Sequence, residues 1–252
     1  GVINFAAESH VDNSIKNPKI FLETNITGVF NLLCIAKKYW LKSPFIHKDN
    51  YENSRFHQIS TDEVYGSINI GSNSENISYN PSSPYSASKA SADHIVNSFN
   101  KTYGLNTTIS ISSNNFGPNQ NSEKFIPKVI DAISKGENIP VYGDGNYFRD
   151  WIYVDDNCEA IDKVFFYGSS GEKYNIGSGT ELSNNELVKI IYATISKQID
   201  VKLKIINIED RFGHDKRYSI NCDKIKTELG WLPRYDFYQS INKYIKNKLK
   251  NE

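Results

Sequence analysis

The apolar positions of this chain follow two patterns. Short apolar stretches predict strands at residues 2–7, 56–60 and 174–177, and β-branched residues that alternate with serines predict another at residues 107–112. Apolar residues at three- and four-residue intervals predict two long helices, from about residue 18 or 24 to about residue 40 and from residue 84 to 103. Strands that alternate with helical stretches predict an α/β fold.

Local signals support further elements in the second half of the chain. More helices are predicted at residues 126–135, 183–195 and 222–229, after residue 155, and at the C-terminal end. Ser183 and Glu186 have the spacing of a capping box, and Gly104 suits the end of the preceding long helix. Loops are predicted at residues 43–54, 67–83 and 141–145.

Composition and charge exclude several classes of protein. Lysine plus arginine and aspartate plus glutamate both number 29 in the 252 residues, so no charge excess favours nucleic acid or a membrane surface. The three cysteines, Cys34, Cys158 and Cys222, show no metal-ligand spacing, which predicts neither a metal site nor disulfides and fits the cytoplasm. The sequence contains no uninterrupted apolar run of about 18 residues, so no membrane span is predicted.

The chemistry concentrates in two segments. Thr61, Asp62 and Glu63 follow the strand at 56–60, and ligands of parallel sheets bind at such carboxyl ends. Tyr85 and Lys89 are four residues apart on a predicted helix and share one face. A nearby ammonium group or a cationic cofactor ring would lower the pKa of the phenol and make it a base. The alternatives are a surface Tyr–Lys pair and a solvated pair of carboxylates.

Several ordered segments together resemble the extended short-chain dehydrogenase/reductase family, and within it the nucleotide-sugar 4,6-dehydratases. They are residues 6–12, 60–66, 85–89, 113–118, 149–154 and 210–215.

The resemblance implies a Rossmann-type doubly wound parallel sheet, at residues 1–117 and 150–176, with a smaller α/β substrate domain at residues 118–149 and 177–252. The Gly-rich NAD fingerprint and methionine are both missing from the 252 residues, so we expect the first two βαβ units to precede Gly1.

The resemblance also implies a hydro-lyase that works through an internal redox cycle with NAD. Tyr85 would remove the O4 proton of the sugar, supported by Thr61 and Lys89, while hydride leaves C4. Glu63 would then take the C5 proton, Asp62 would protonate the departing C6 hydroxyl, and hydride would return to C6. Related epimerases generally lack this carboxylate pair.

Binding residues carry over by position in the same motifs. The cofactor-facing positions are Ala6, Ala7, Asn25, Ser60, Tyr85 and Lys89. The positions for a nucleotide diphosphate sugar, with dTDP-glucose as the expected substrate, are Asn114, Glu123, Lys124, Tyr142, Arg149, Asn175, Arg211 and His214. Surface ion pairs are the alternative for Arg149 and Arg211, and ordinary turn packing is the alternative for Tyr142.

The two long helices match those that form the homodimer in the family. Other functions remain open from the sequence: a UDP-sugar 4,6-dehydratase, a 4-epimerase, a non-catalytic sugar-nucleotide-binding relative, or an inert fragment.

Overall fold

The computed structural model describes residues 1–250. Its strands are β1 (Val2–Asn4), β2 (Leu41–Ser43), β3 (Ile46–His47), β4 (Phe56–Thr61), β5 (Thr107–Ser112), β6 (Asn114–Phe116), β7 (Ile139–Tyr142), β8 (Phe148–Tyr153), β9 (Lys173–Ile176), β10 (Glu181–Ser183) and β11 (Ile205–Ile208). Its α-helices are α1 (Val11–Lys16), α2 (Pro18–Phe21), α3 (Val29–Trp40), α4 (Pro84–Tyr103), α5 (Phe125–Ser134), α6 (Val154–Tyr167), α7 (Asn184–Ile195), α8 (Asp223–Leu229) and α9 (Phe237–Lys250).

The main sheet has four parallel strands in the order β1, β4, β5, β9. Its central strands are buried on both faces, and β5 is buried along its whole length. Polar side chains inside the sheet are paired: His57 lies between Thr108 and Ser110 at 2.8 and 2.9 Å. The predicted α/β fold with a parallel sheet is therefore confirmed.

Helix α4 is the element that links the sheet to the site. It begins with Pro84 in the first turn and a capping box between Ser83 and Ser86, and it ends at Gly104 with a left-handed φ of 70°. It packs against α1, α2, α3 and the strands β4 and β5. Its first turn therefore lies beside the carboxyl end of β4.

The second half of the chain builds a separate apolar core from α5, α7, α9 and the strands β7 and β8. Strand β8 serves two cores, because Trp151 and Tyr153 pack in this one while Ile152 packs with α6 and β9. The boundary predicted between residues 149 and 150 thus falls inside a strand. The last two residues of the predicted range 177–252 lie outside the described residues.

Some predicted loops contain strands. Residues 41–47 form the hairpin β2–β3, and the segment predicted as a loop at 141–145 begins inside β7. Strand β7 pairs in parallel with β11, more than 60 residues later, and such a distant partner leaves no local signal. The first strand is also shorter than predicted, since β1 ends at Asn4.

The first long helix runs over Pro18–Trp40 and contains a π-helical stretch, Leu22–Gly28. Among the described residues it alone is long and apolar enough, by length and composition, to cross a membrane, which the predicted absence of a span did not anticipate. One face, with Phe21, Val29 and Leu33, is fully buried against the rest of the fold. That face packs into the α/β unit, whereas most of the helix is not buried.

Candidate active site

The carboxyl end of β4 turns directly into the reactive segment. Thr61 caps a short 3₁₀ helix, Asp62–Tyr65, by accepting a hydrogen bond from the Glu63 N–H. Gly66 then turns the chain with a φ of 73°, and a Cβ there would lie 2.2 Å from the Asn80 carbonyl oxygen. This tight turn holds Asp62 and Glu63 at the edge of the sheet.

Helix α4 brings Tyr85 to the same place. The Tyr85 N–H donates to the Ser14 hydroxyl at 3.2 Å, and the ring packs edge-on against Phe21 at 6.3 Å. A cavity of about 420 Å³ has Tyr85 in its wall together with six other predicted site residues. These are Ser60, Thr61, Asp62, Glu63, Asn114 and Lys124.

Both carboxylates of this cavity favour the protonated form. Burial and the neighbouring Glu63 hold the pKa of Asp62, which is 2% exposed, well above its usual range. Burial also raises the pKa of Glu63, but Arg149, Arg211 and Lys124 oppose that rise. The Asp62 Oδ2 atom has no hydrogen-bond partner. Asp62 therefore holds its proton more strongly than Glu63 does.

The pKa of the Tyr85 phenol is raised, whereas the sequence predicted that a nearby positive charge would lower it. Burial and the nearby Glu63 raise the pKa of Tyr85, while Thr61 lowers it. The groups that influence this pKa most strongly do not include Lys89, whose ammonium group donates to the Ile59 carbonyl oxygen at 2.5 Å. Helical spacing alone therefore does not activate the phenol.

A second cavity, of about 280 Å³, adjoins the first and shares Glu63, Asn114 and Lys124 with it. The other predicted site residues in its wall are Glu123, Tyr142, Arg149, Arg211 and His214. We call the first cavity the acid/base end and the second the nucleotide end of one cleft.

Asp12 joins the two halves of the molecule at the nucleotide end. It accepts a hydrogen bond from the Tyr142 hydroxyl at 3.0 Å and pairs with the Arg211 Nη1 atom at 3.3 Å. Burial raises the pKa of Asp12, but Tyr142 and Arg211 outweigh it and the pKa falls below its ordinary value. Lys124 makes a parallel link by donating to the Ser9 carbonyl oxygen at 2.9 Å.

His214 is neutral near pH 7. Its ring stacks on Tyr147 at 3.9 Å, and its Nδ1 atom lies 2.7 Å from the Asp210 Oδ1 atom. Burial and the nearby Arg211 lower the pKa of His214 to about 4. The Tyr147 hydroxyl donates to the same carboxylate. His214 therefore lies in the wall of the nucleotide end with one ring face covered by Tyr147.

Arg149 is buried, at 6% exposure, so the surface ion pair considered above does not form. Its guanidinium group donates to the carbonyl oxygens of Phe148 and Asp215 and lies over the Tyr218 ring at 4.2 Å. Arg211, in contrast, does form an ion pair. Of the two arginines, only Arg149 is held by backbone groups with its position fixed.

Five predicted residues lie outside both cavities. Asn175 is fully buried, with its side chain bonded to Tyr65 and to the carbonyl oxygens of Asn73 and Asn221. That side chain holds a buried network, which is a structural reason for its presence. Ala6 and Ala7 follow β1, and Asn25 holds their segment by bonding both backbone groups of Glu8. Lys89 lies beneath the cavity.

Three residues that organise the nucleotide end were not predicted as site residues: Asp12, Tyr147 and Asp210. Asp210 precedes His214 by four residues, a spacing that could have indicated their contact, but the Asp12 contacts link positions far apart in sequence.

Among residues 1–250, no group of three or more histidine, cysteine, aspartate or glutamate side chains is placed to hold a metal ion.

Comparisons with known proteins find nucleotide-sugar 4,6-dehydratases among the relatives of this chain. The model of the family described as GDP-mannose 4,6 dehydratase matches residues 1–244. The dTDP-glucose 4,6-dehydratase of Xanthomonas campestris is 45% identical over 258 residues, which cover 100% of this chain and 73% of that protein.

Two solved structures are similar throughout the chain. One is the dTDP-glucose 4,6-dehydratase DesIV of Streptomyces venezuelae with NAD and dTDP bound, at 38% identity and a TM-score of 0.89 over 99% of this chain and 73% of that one. The other is the dTDP-glucose 4,6-dehydratase of Bacillus anthracis in complex with NAD, at 41% identity and a TM-score of 0.84 over 99% and 72%.

Proposed function

The chain belongs to the GDP-mannose 4,6 dehydratase family, and from this membership we propose that it converts dTDP-glucose to dTDP-4-keto-6-deoxyglucose with bound NAD. Its class is then that of a hydro-lyase. The observation that carries the proposal is the single cavity that joins Tyr85 to both Asp62 and Glu63. Loss of water between C5 and C6 requires a base and an acid, whereas epimerisation at C4 requires no acid at C6.

Tyr85 acts first, at the sugar O4. As a phenolate it takes the O4 proton, with the Thr61 hydroxyl beside the same oxygen. Burial opposes the phenolate, as the raised pKa of Tyr85 indicates. When bound beside Ser60 and Lys89, NAD would supply the hydride acceptor for C4, the hydride donor for C6 and a positive charge that favours the phenolate.

Asp62 and Glu63 act second, on the 4-keto sugar. Asp62 has the more strongly raised pKa, so it is the better placed of the two to donate a proton to the departing C6 hydroxyl. Glu63 lies near three cations that favour its carboxylate form, so it takes the acidified C5 proton. The different surroundings of two adjacent residues thus support different roles.

The residues present fit the nicotinamide end of NAD. Ala6 and Ala7 are small and partly or fully exposed, which leaves room for a flat ring beside β4. Ser60 and Lys89 lie next to Tyr85 at that end. The sequence holds no Gly-rich turn for the pyrophosphate, so the described residues account for only part of the cofactor.

The nucleotide diphosphate lies at the other end of the cleft. Arg211 and Lys124 supply positive charge there, with Asn114 and Glu123 in the same wall. Tyr142 and His214 supply ring faces for a base. Arg149 contributes its positive charge from a buried position.

We also propose a cytoplasmic homodimer with two domains divided as the resemblance implies. The Pro18–Trp40 helix leaves a row of apolar side chains exposed, which a second copy would cover. They are Leu22, Phe30, Leu32, Ile35 and Tyr39. Sedimentation of the protein at several concentrations tests this, and a monomer at all of them would contradict it.

The test of function is product analysis. The protein, with NAD added, is incubated separately with dTDP-glucose and with UDP-glucose, and products are identified by mass spectrometry and NMR. We expect loss of one water and a C4 ketone from dTDP-glucose. A product of unchanged mass with inverted C4 would indicate an epimerase, and preference for UDP-glucose would reassign the substrate. Calorimetry with dTDP alone separates a binding protein from a protein that does not bind.

A further inference from the structure

Asp93 is a buried carboxylate directly behind the acid/base end of the cleft. It lies on α4, four residues after Lys89, so both side chains lie on one face of the helix. Asp93 is 2% exposed and lines neither cavity. A charged group in such a position is costly unless neighbouring groups compensate it.

Two hydroxyl groups bond one oxygen of this carboxylate. The Ser60 hydroxyl donates to the Asp93 Oδ2 atom at 2.5 Å, and the Tyr79 hydroxyl donates to the same atom at 3.2 Å. The Oδ1 atom has no hydrogen-bond partner. Asp93 thus fixes the rotamer of Ser60, which lines the cavity next to Thr61.

The other charged neighbour of importance is Lys89. Burial disfavours its ammonium form, and Asp93 is the group that favours it. The titratable groups that face Asp93 are Lys89 and Tyr85 on α4, Tyr65 on the 3₁₀ helix, Tyr79 before α4, and Lys173 on β9.

We propose that Asp93 is a positioning residue, which fixes the Ser60 hydroxyl at the acid/base end while touching neither substrate nor cofactor. This role rests on the proposed function, because Ser60 faces the nicotinamide end. The same carboxylate lies one helical turn after Lys89, so it bonds one cofactor-facing side chain and neighbours a second.

The arrangement predicts a dependence on pH. Burial raises the pKa of Asp93 to about 6, against the opposing effects of Lys89, Ser60 and Tyr79. Below that pH, Asp93 is neutral and becomes a weaker acceptor for the Ser60 hydroxyl. The orientation of Ser60, and with it C4 oxidation, should therefore be lost progressively on the acidic side of about pH 6.

The first experiment compares rates of C4 oxidation from pH 5 to 8. Asp93→Asn should lower the rate at pH 8 by about tenfold or more and should lack the acidic fall. Tyr79→Phe removes one donor to the carboxylate, so its acidic fall should move to higher pH. Asp162→Asn on the exposed face of α6 is the matched control and should match the unsubstituted protein. An unchanged acidic fall in Asp93→Asn would overturn the proposal.

The second experiment needs no activity. Thermal unfolding midpoints are measured at pH 5 and 8 for Lys89→Met, Asp93→Asn and the double variant. Lys89→Met leaves a buried carboxylate without its cation, so its midpoint should drop more at pH 8, where Asp93 is ionised, and Asp93→Asn should restore most of that loss. Additive effects at both pH values would refute the Lys89–Asp93 coupling. Absence of any dTDP-glucose oxidation would refute the proposed function and leave this test intact.

Discussion

The pKa values of aspartates shift in opposite directions at the two ends of the cleft. At the acid/base end, burial raises the pKa of Asp62, and one of its oxygens has no partner. At the nucleotide end, Asp12 and Asp210 keep some exposure and accept hydrogen bonds from tyrosines, and the pKa of each falls below its ordinary value. An aspartate at the acid/base end thus favours its protonated form, whereas the aspartates at the nucleotide end hold cations and aromatic rings in place.

The difference lies in what surrounds each oxygen. A buried carboxylate with few donors, such as Asp62 with the Thr61 hydroxyl at 3.4 Å, loses its hydration and gains little, so the neutral acid is favoured. A partly exposed one beside Arg211 and Tyr142 keeps water on one side and two donors on the other. Proton transfer and ligand binding therefore require different depths within one cleft.

The largest expected effect is at the buried end, on Tyr85→Phe. Removal of the phenol proton acceptor should lower C4 oxidation by about 10³-fold. The rate of NADH formation after addition of dTDP-glucose measures this step, and Tyr103→Phe at the far end of α4 is the matched control. Substrate-dependent NADH formation at the normal rate in Tyr85→Phe would show that another group is the base.

A smaller effect is expected for Asp62→Asn. It should leave C4 oxidation measurable and slow water loss by about 10²-fold, because Asn cannot supply the proton. In the unsubstituted protein, water loss should slow as pH rises through the raised pKa of Asp62. Single-turnover product analysis separates the two steps, and equal losses in both would contradict the role of Asp62 as the acid.

Unfolding measurements on the same variant test the comparison itself. A carboxyl whose pKa is raised by folding stabilises the fold fully at low pH and loses that contribution as pH rises through its folded pKa. Asp62→Asn does not ionise, so at pH 8 it should be at least as stable as the unsubstituted protein. A large drop in its unfolding midpoint at pH 8 would mean that the ionised Asp62 is well paired.

Local pattern predicted much of this fold because its central elements carry their own signals. Helix α4 has Pro84 at its start and Gly104 at its end, and β5 alternates β-branched residues with serines. Strand β7 was missed because β11, its partner, lies far along the chain. Pairing between distant segments is not encoded in periodicity.

The features of the site also divide into those that the sequence predicted and those that it did not. Motif position brought Thr61, Asp62, Glu63 and Tyr85 into one cavity, since a strand end and a helix start already fix them. Charge states were not predictable, because burial of Tyr85 and the Lys89 contact with the Ile59 carbonyl oxygen depend on tertiary packing. Asp12 gave no signal, since its partners lie 130 and 199 positions away.

The smallest expected effect is at the nucleotide end, on Asp12→Asn. Loss of the carboxylate charge frees Arg211 for a diphosphate and removes a negative group beside it. Partly exposed ion pairs contribute up to about 1 kcal/mol, so dTDP should bind up to about fivefold more tightly by calorimetry at low salt, and less so at high salt. Asp155→Asn at the start of α6 is the control.

Stability should move in the opposite direction from that of Asp62→Asn. The pKa of Asp12 is lowered by folding, so its contribution is present above the ordinary carboxyl pKa and is lost as pH falls through the folded value. Asp12→Asn should therefore unfold at a lower temperature at pH 7 and approach the unsubstituted protein at acidic pH. If both variants shifted the unfolding midpoint in the same direction at neutral pH, the two ends would not differ in the way that their surroundings indicate.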